Sequence, residues 1–113
     1  MLKIKLEEVD NVTVGYLSGN LDASTAPELK SQIEKLVDER KVDVVFNLSD
    51  LELIDSSGVG AIVSLFKRVR TLQGDVKIAE ITGQPAEIFK LLRLDKAFQI
   101  FSTTEEAISK FRS

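Results

Sequence analysis

The chain has 113 residues, of which 43% are hydrophobic and 29% charged, and 15 basic against 18 acidic side chains give a net charge of −3. That length suffices for one domain with a closed core, and the composition is ordinary for a globular protein. Cysteine and histidine are both absent from the sequence. This excludes disulfides, thiolate chemistry and the usual general base and transition-metal ligand. We therefore expect a single domain over residues 1–113 that is not an enzyme and uses neither a metal nor a cofactor.

The charge distribution also argues against nucleic acid and membrane as partners. The densest basic run is Lys67-Arg68-Val69-Arg70, inside a predicted helix, and we interpret it as a solvated helix face, with a partner-docking patch as the alternative. Nucleic-acid binding needs a broader basic surface. No stretch approaches the ~18 apolar residues of a membrane span, and the first residues lack the apolar core of a signal peptide. We expect a cytoplasmic protein.

The N-terminal residues predict a β-hairpin. Leu2, Ile4 and Leu6 alternate with charged residues, the period of a half-exposed strand. Asp10-Asn11 predicts the turn, residues 12–17 predict the second strand, and residues 18–20 are expected to end it.

A helix is predicted next. Thr25 and Glu28 have the spacing of a capping box, and Pro27 is tolerated in a first turn. The apolar face of this helix, which is expected to end near Arg40, consists of Leu29, Ile33, Leu36 and Val37.

Residues 42–48 are rich in β-branched side chains with almost no interruption, as in a central parallel strand that is covered on both faces. A polar loop is expected to follow and to lead into a second helix that stops at Gln73-Gly74. The helical spacing is carried by Val59, Ile62, Val63, Phe66 and Val69.

The last third of the chain continues the alternation. We predict a strand at 76–81, a third helix from Gln84-Pro85, a short strand at 98–101, and a last helix that begins with a capping box of Thr103 and Glu106. The buried side of the third helix is expected to contain Ile88, Phe89, Leu92 and Leu94. The order predicts an α/β fold with a mixed, mostly parallel sheet, the N-terminal hairpin at its edge, and about four helices.

Two polar loops, 19–25 and 49–60, should meet at the carboxyl ends of the strands, where open α/β sheets place their sites. In the second loop, Asp55-Ser56-Ser57-Gly58 has the composition of a helix N-cap. Gly58 and Gly60 are costly so early in a helix, which indicates close approach by a partner, a nucleotide or a neighbouring element. Asp22, in the first loop, is either a turn or cap residue or a charge beside Ser56.

Other chemistry fits these loops poorly. A P-loop and a nucleophile elbow each need motifs that the sequence lacks. A magnesium site built from Asp50, Glu52 and Asp55, as in a receiver domain, would also need a lysine and an aspartate at other strand ends, which we cannot place.

Three segments carry a resemblance to a known family: Gly19-Asn20-Leu21-Asp22, the strand Val44-Val45-Phe46-Asn47-Leu48, and Ile54-Asp55-Ser56-Ser57-Gly58-Val59-Gly60. Together they resemble the bacterial anti-sigma factor antagonists, which are small single STAS domains, and the resemblance spans essentially the whole chain. It implies that the unphosphorylated protein binds an anti-sigma factor, itself a serine kinase that holds ATP, and thereby frees a sigma factor. A metal-dependent serine phosphatase would reset the phosphorylated form.

The resemblance also assigns residues. The family's phosphoacceptor follows the aspartate of the motif and corresponds to Ser56, and the partner-binding positions correspond to Asp22, Asp55, Ser57, Gly58 and Gly60. We expect a monomer or a weak dimer. The alternative is a STAS domain with another role, either a sensory or scaffold component or an accessory subunit of a lipid or anion transport system; Ser56 favours the antagonist.

Overall fold

The computed structural model describes residues 1–111. These form one sheet with five helices in the following order: β1 (Leu2–Val9), β2 (Val12–Leu21), α1 (Ala26–Asp38), β3 (Asp43–Ile54), α2 (Ser56–Thr71), β4 (Asp75–Ala79), α3 (Gly83–Leu91), α4 (Leu94–Ala97), β5 (Ile100–Phe101) and α5 (Thr104–Phe111).

The sheet has the order β1-β2-β3-β4-β5, with β1 antiparallel to β2 and all later neighbours parallel. Asp10 and Asn11 both adopt positive φ, 52° and 67°, as in the tight turns that match the twist of a hairpin. The predicted mixed sheet with a hairpin edge is therefore confirmed.

Helices cover both faces of the sheet. β3 contributes side chains to both faces, because successive residues of a strand point to opposite sides. Val44, Phe46 and Leu48 face the larger core with α1, α2 and α3, whereas Val45 faces a smaller core under α5. No helix within residues 1–111 is long and apolar enough to cross a membrane.

Two strands run further than predicted. β2 continues through residues 18–20 to Leu21, and β3 continues through Ser49 to Ile54. Beyond Asn47, β3 pairs with β2 alone, because β4 ends at Ala79. Ser49, Asp50 and Glu52 are exposed in this segment, and their polarity gives it the composition of a loop.

The third helix is shorter than predicted. α3 ends at Leu91, Arg93 adopts the left-handed conformation with φ 59°, and a separate turn, α4, follows. The prediction that Leu92 is buried is wrong, since 51% of it is exposed. Residues 1–111 thus contain five helices rather than about four.

Candidate functional site

The two predicted site loops meet at one edge of the sheet. Leu21 at the end of β2 is the register partner of Ile54 at the end of β3, so the chain leaves both strands side by side. The Asp55 amide donates to the Leu21 carbonyl at 3.1 Å, and the Ala23 amide donates to Asp55 Oδ2 at 3.2 Å. The junction between β3 and α2 is thereby fixed to the junction between β2 and α1.

Asp55 is the N-cap of α2, as its local sequence predicts. It has an extended backbone (φ −115°, ψ −173°), and its Oδ1 accepts from the Gly58 amide at 3.1 Å. Each oxygen of this one carboxylate thus serves a different element.

Ser56 is the first residue of α2 and is exposed, while Ser57 is half-buried. Within residues 1–111 the Ser56 hydroxyl makes no hydrogen bond. A reagent that approaches the edge of the sheet therefore meets the Ser56 hydroxyl beside the Asp55 carboxylate. Ser57 is less accessible to such a reagent.

Asp22 organises its own turn. Its Oδ1 accepts from the Ser24 hydroxyl at 2.7 Å, from the Ser24 amide at 3.0 Å and from the Thr25 amide at 3.1 Å. The hydrogen bond from the Ser24 hydroxyl, helped by the Thr25 and Ser24 amides and the Thr25 hydroxyl, lowers the pKa of the Asp22 carboxyl below its ordinary value. The turn or cap role that the sequence allowed for Asp22 is confirmed.

The capping box predicted for Thr25 and Glu28 is wrong. The Thr25 hydroxyl donates to the Asn20 carbonyl at 2.9 Å and accepts from the Asp22 amide at 2.9 Å, and it makes no cap bond to α1. The hydroxyl is buried and bound to the end of β2. The Asp22 carboxylate, three residues earlier, accepts the amides of Ser24 and Thr25 in the turn before α1, not those of the helix itself.

The two glycines of α2 differ. A Cβ on Gly58 would lie 2.6 Å from the Leu21 carbonyl oxygen and 2.9 Å from Ile54 Cγ1, whereas a Cβ on Gly60 would meet nothing within 4 Å. The sequence suggests a partner, a nucleotide or a neighbouring element as the reason for a glycine here. For Gly58 the reason is a neighbouring element, the end of β2 at Leu21. Gly60 is exposed on the outer surface of α2, and no packing contact requires it.

Gln84 completes the support of the site, and sequence reasoning missed this role. Its side-chain amide accepts from the Ile54 amide at 2.9 Å and donates to the Ile54 carbonyl at 3.0 Å. It therefore pairs with β3 as a strand would, at the level where β4 has already ended. The position of Gln84 beside Pro85 at a helix start carries no signal for this contact, which links residues 30 apart.

Two arginines of the basic run form ion pairs with acidic residues elsewhere in the fold, and the acidic residues that the structure describes do not form a metal site. Arg68 pairs with Glu34 of α1, and Arg70 lies 3.5 Å from Asp75, in keeping with a solvated helix face. Among residues 1–111 there is no group of three or more acidic side chains arranged to hold a metal ion.

Comparison with known proteins points to one family. The model of the STAS domain matches residues 3–107. The anti-sigma-F factor antagonist RsfB of Mycobacterium tuberculosis is 26% identical over 113 residues, which cover 98% of this chain and 90% of that protein.

Solved structures agree with that match. The crystal structure of an anti-sigma factor antagonist from Mycobacterium paratuberculosis is 25% identical and covers 100% of this chain and 96% of that one, with a TM-score of 0.90. The phosphorylated form of SpoIIAA, a Bacillus cell fate determinant, is 22% identical and has the same fold, with a TM-score of 0.78 over 96% of this chain and 99% of its own.

Proposed function

The chain belongs to the STAS domain family, and we propose that it is an anti-sigma factor antagonist controlled by phosphorylation of Ser56. The unphosphorylated chain binds an anti-sigma factor and frees the sigma factor, in the cytoplasm, where bacterial transcription takes place. The observation that carries the proposal is the exposed Ser56 hydroxyl at the start of α2, beside the Asp55 carboxylate.

The start of α2 can accept a phosphate without unfolding. A phosphoserine carries roughly −1.5 to −2 charges at pH 7 and adds strong hydrogen-bond acceptors. First-turn amides and the helix dipole stabilise an anion at this end of a helix. Asp55 opposes the phosphate, yet both of its oxygens are already held by the Gly58 and Ala23 amides. The cap and the loop contact therefore need not change.

The partner complex is affected instead. A surface that fits closely around a small neutral hydroxyl would have to desolvate a phosphate dianion next to a second negative charge. A penalty of only about 3 kcal/mol lowers affinity more than a hundredfold. A large conformational change is not required.

The other partners of the cycle are those that the resemblance to the anti-sigma factor antagonists implies. We propose that the anti-sigma factor is also the serine kinase and binds the ATP, and that a metal-dependent serine phosphatase removes the phosphate. The chain itself acts as a substrate and a binding surface, not as an enzyme. In this interface we include Asp22, Asp55, Ser57, Gly58 and Gly60. The open space around Gly60 lets a partner approach the backbone of α2. Gly58 is buried against Leu21 and supports the start of α2 from the side that faces the sheet.

Mass spectrometry after incubation with the cognate kinase and ATP tests the assignment. We expect one phosphate on Ser56, which is lost in Ser56→Ala and retained in the matched variant Ser57→Ala. A phosphate that persists in Ser56→Ala and disappears in Ser57→Ala would reject Ser56 as the acceptor.

A further inference from the structure

The outer edge of β1 is an open pairing site. Among residues 1–111, β1 pairs with β2 alone. The Asn20 amide donates to the Met1 carbonyl at 2.9 Å, which fixes the alternation of the antiparallel ladder. The main-chain groups of Lys3, Lys5 and Glu7 therefore face β2, and those of Leu2, Ile4, Leu6 and Glu8 face outward.

α1 runs beside this edge and forms a groove with it. One hollow of about 540 Å³ is lined by Ile4, Pro27, Glu28, Ser31 and Gln32. A second hollow of about 210 Å³ continues past Leu6 and Lys35. Leu6 is 38% exposed, so the groove has apolar side chains at its floor, and an added strand would cover them.

The charge pattern of β1 is complementary to that of a second, antiparallel copy of the same strand. Lys3 and Lys5 occupy its first half and Glu7 and Glu8 its second half, and all four are exposed. Lysines on an edge strand usually prevent pairing. Antiparallel pairing with an identical strand, however, brings each lysine half against a glutamate half, where cross-strand pairs of opposite charge are favourable.

We propose that β1 pairs antiparallel with β1 of a second copy of this chain, joining the two sheets. Placing the two-fold axis at Lys5 sets Ile4 opposite Leu6 of the second copy, so that four outward-facing residues of each strand pair. The same register sets Lys3 opposite Glu7 on both sides of the axis, two favourable pairs. The two Lys5 side chains face each other at the axis, which is unfavourable, but each also lies diagonally beside a glutamate of the other strand.

The helices support the same symmetry. Glu28 lines the hollow at Ile4, and Lys35 lines the hollow at Leu6. A two-fold axis that exchanges these two levels brings Glu28 of one copy toward Lys35 of the other. Glu39 lines the same hollow as Lys35, but its carboxylate lies 3.2 Å from Lys41 of its own copy. Glu28 and Lys35 therefore form a second set of opposite charges that favours the register chosen from the strand.

The inference is independent of the proposed function. Ser56 follows β3, which lies two strands in from β1, a distance of about 10 Å across the sheet. A second copy at β1 leaves the start of α2 uncovered, so dimerisation and phosphorylation can be measured separately.

Sedimentation equilibrium of the full chain, from about 1 μM to 1 mM at low salt, tests the pairing. The interface is small, so we expect a weak dimer with a dissociation constant of about 10⁻⁴ M. Lys3→Glu should weaken association about tenfold or more. Glu7→Lys should do the same, although it also removes the 3.3 Å contact of Glu7 with the Tyr16 hydroxyl.

The double variant Lys3→Glu with Glu7→Lys decides the outcome. It exchanges the charges within each pair and should restore dimerisation to near the wild-type level. Lys30→Glu, an exposed change on α1 away from both hollows, is the control and should leave association unchanged. A chain that stays monomeric to 1 mM would overturn the proposal, and so would a double variant that associates as weakly as its parents. A mass that fits one chain with a bound foreign peptide, in place of two chains, would overturn it as well.

Discussion

Two strand-to-helix junctions lie side by side at the same edge of the sheet, and each begins with an aspartate. After β2, the Asp22 carboxylate is occupied by the amides and hydroxyl of its own turn. After β3, the Asp55 carboxylate gives one oxygen to its own helix and the other to the neighbouring loop. The carboxylate of the first junction binds only its own turn, whereas the carboxylate of the second binds both junctions and lies beside the exposed Ser56 hydroxyl.

The difference shows how one residue type can stabilise a single loop at one position and join two loops at another. A carboxylate whose donors all come from its own loop chiefly stabilises that loop. A carboxylate shared between two loops fixes the position of both, and it leaves an adjacent hydroxyl at a defined place on the surface. Gln84 strengthens this arrangement because its amide holds both main-chain groups of Ile54.

The largest effect on stability is expected from replacing Gly58, the glycine of α2 that packs against the first junction. Gly58→Ala places a methyl group against the Leu21 carbonyl, where a Cβ would lie 2.6 Å away, so we expect the free energy of unfolding to fall by about 1–3 kcal/mol. Gly60→Ala is the matched control, with open space around it. It should raise the free energy of unfolding by up to about 1 kcal/mol while weakening partner binding. Chemical denaturation measures both stabilities, and a neutral Gly58→Ala would show that the two junctions are not packed together.

A smaller effect on stability is expected at the first junction, and it should depend on pH. Hydrogen bonds from Ser24 and Thr25 hold the pKa of the Asp22 carboxyl below its ordinary value in the fold. The ionised carboxylate therefore stabilises the fold above the unfolded pKa, and this contribution is lost as the pH falls through the folded pKa. Asp22→Asn should therefore lower the thermal midpoint at pH 7, and the difference from wild type should shrink as the pH falls through the folded pKa of Asp22. Thermal scans across this range measure the difference. If the gap between wild type and variant were the same at every pH, the charge of Asp22 would not be what the turn binds.

Most of the fold could be predicted from the sequence because its helices and central strand have strong periodic patterns. The start of α2 was predicted as well, since Asp55 caps through contacts within four residues of itself. Patterns of this kind are local, and local rules suffice for them.

The errors at residues 49–54 and at Thr25 have non-local causes. Residues 49–54 resemble a loop because Ser49, Asp50 and Glu52 are polar, but pairing with β2 keeps the segment in the strand, and the Gln84 amide binds its last residue, Ile54. Thr25 fails as a cap because its hydroxyl is bound to the end of β2. Leu92 follows the helical spacing, but α3 ends before it, and Arg93 then turns the chain.

The affinity of the cognate anti-sigma kinase for the bare and the Ser56-phosphorylated chain tests the central claim most directly. Calorimetric titration of both forms should show binding more than a hundredfold weaker after phosphorylation, with thermal midpoints that differ by no more than about two degrees. Equal affinities of the two forms would contradict the account, since Ser56 would then be an exposed hydroxyl without control over the interface.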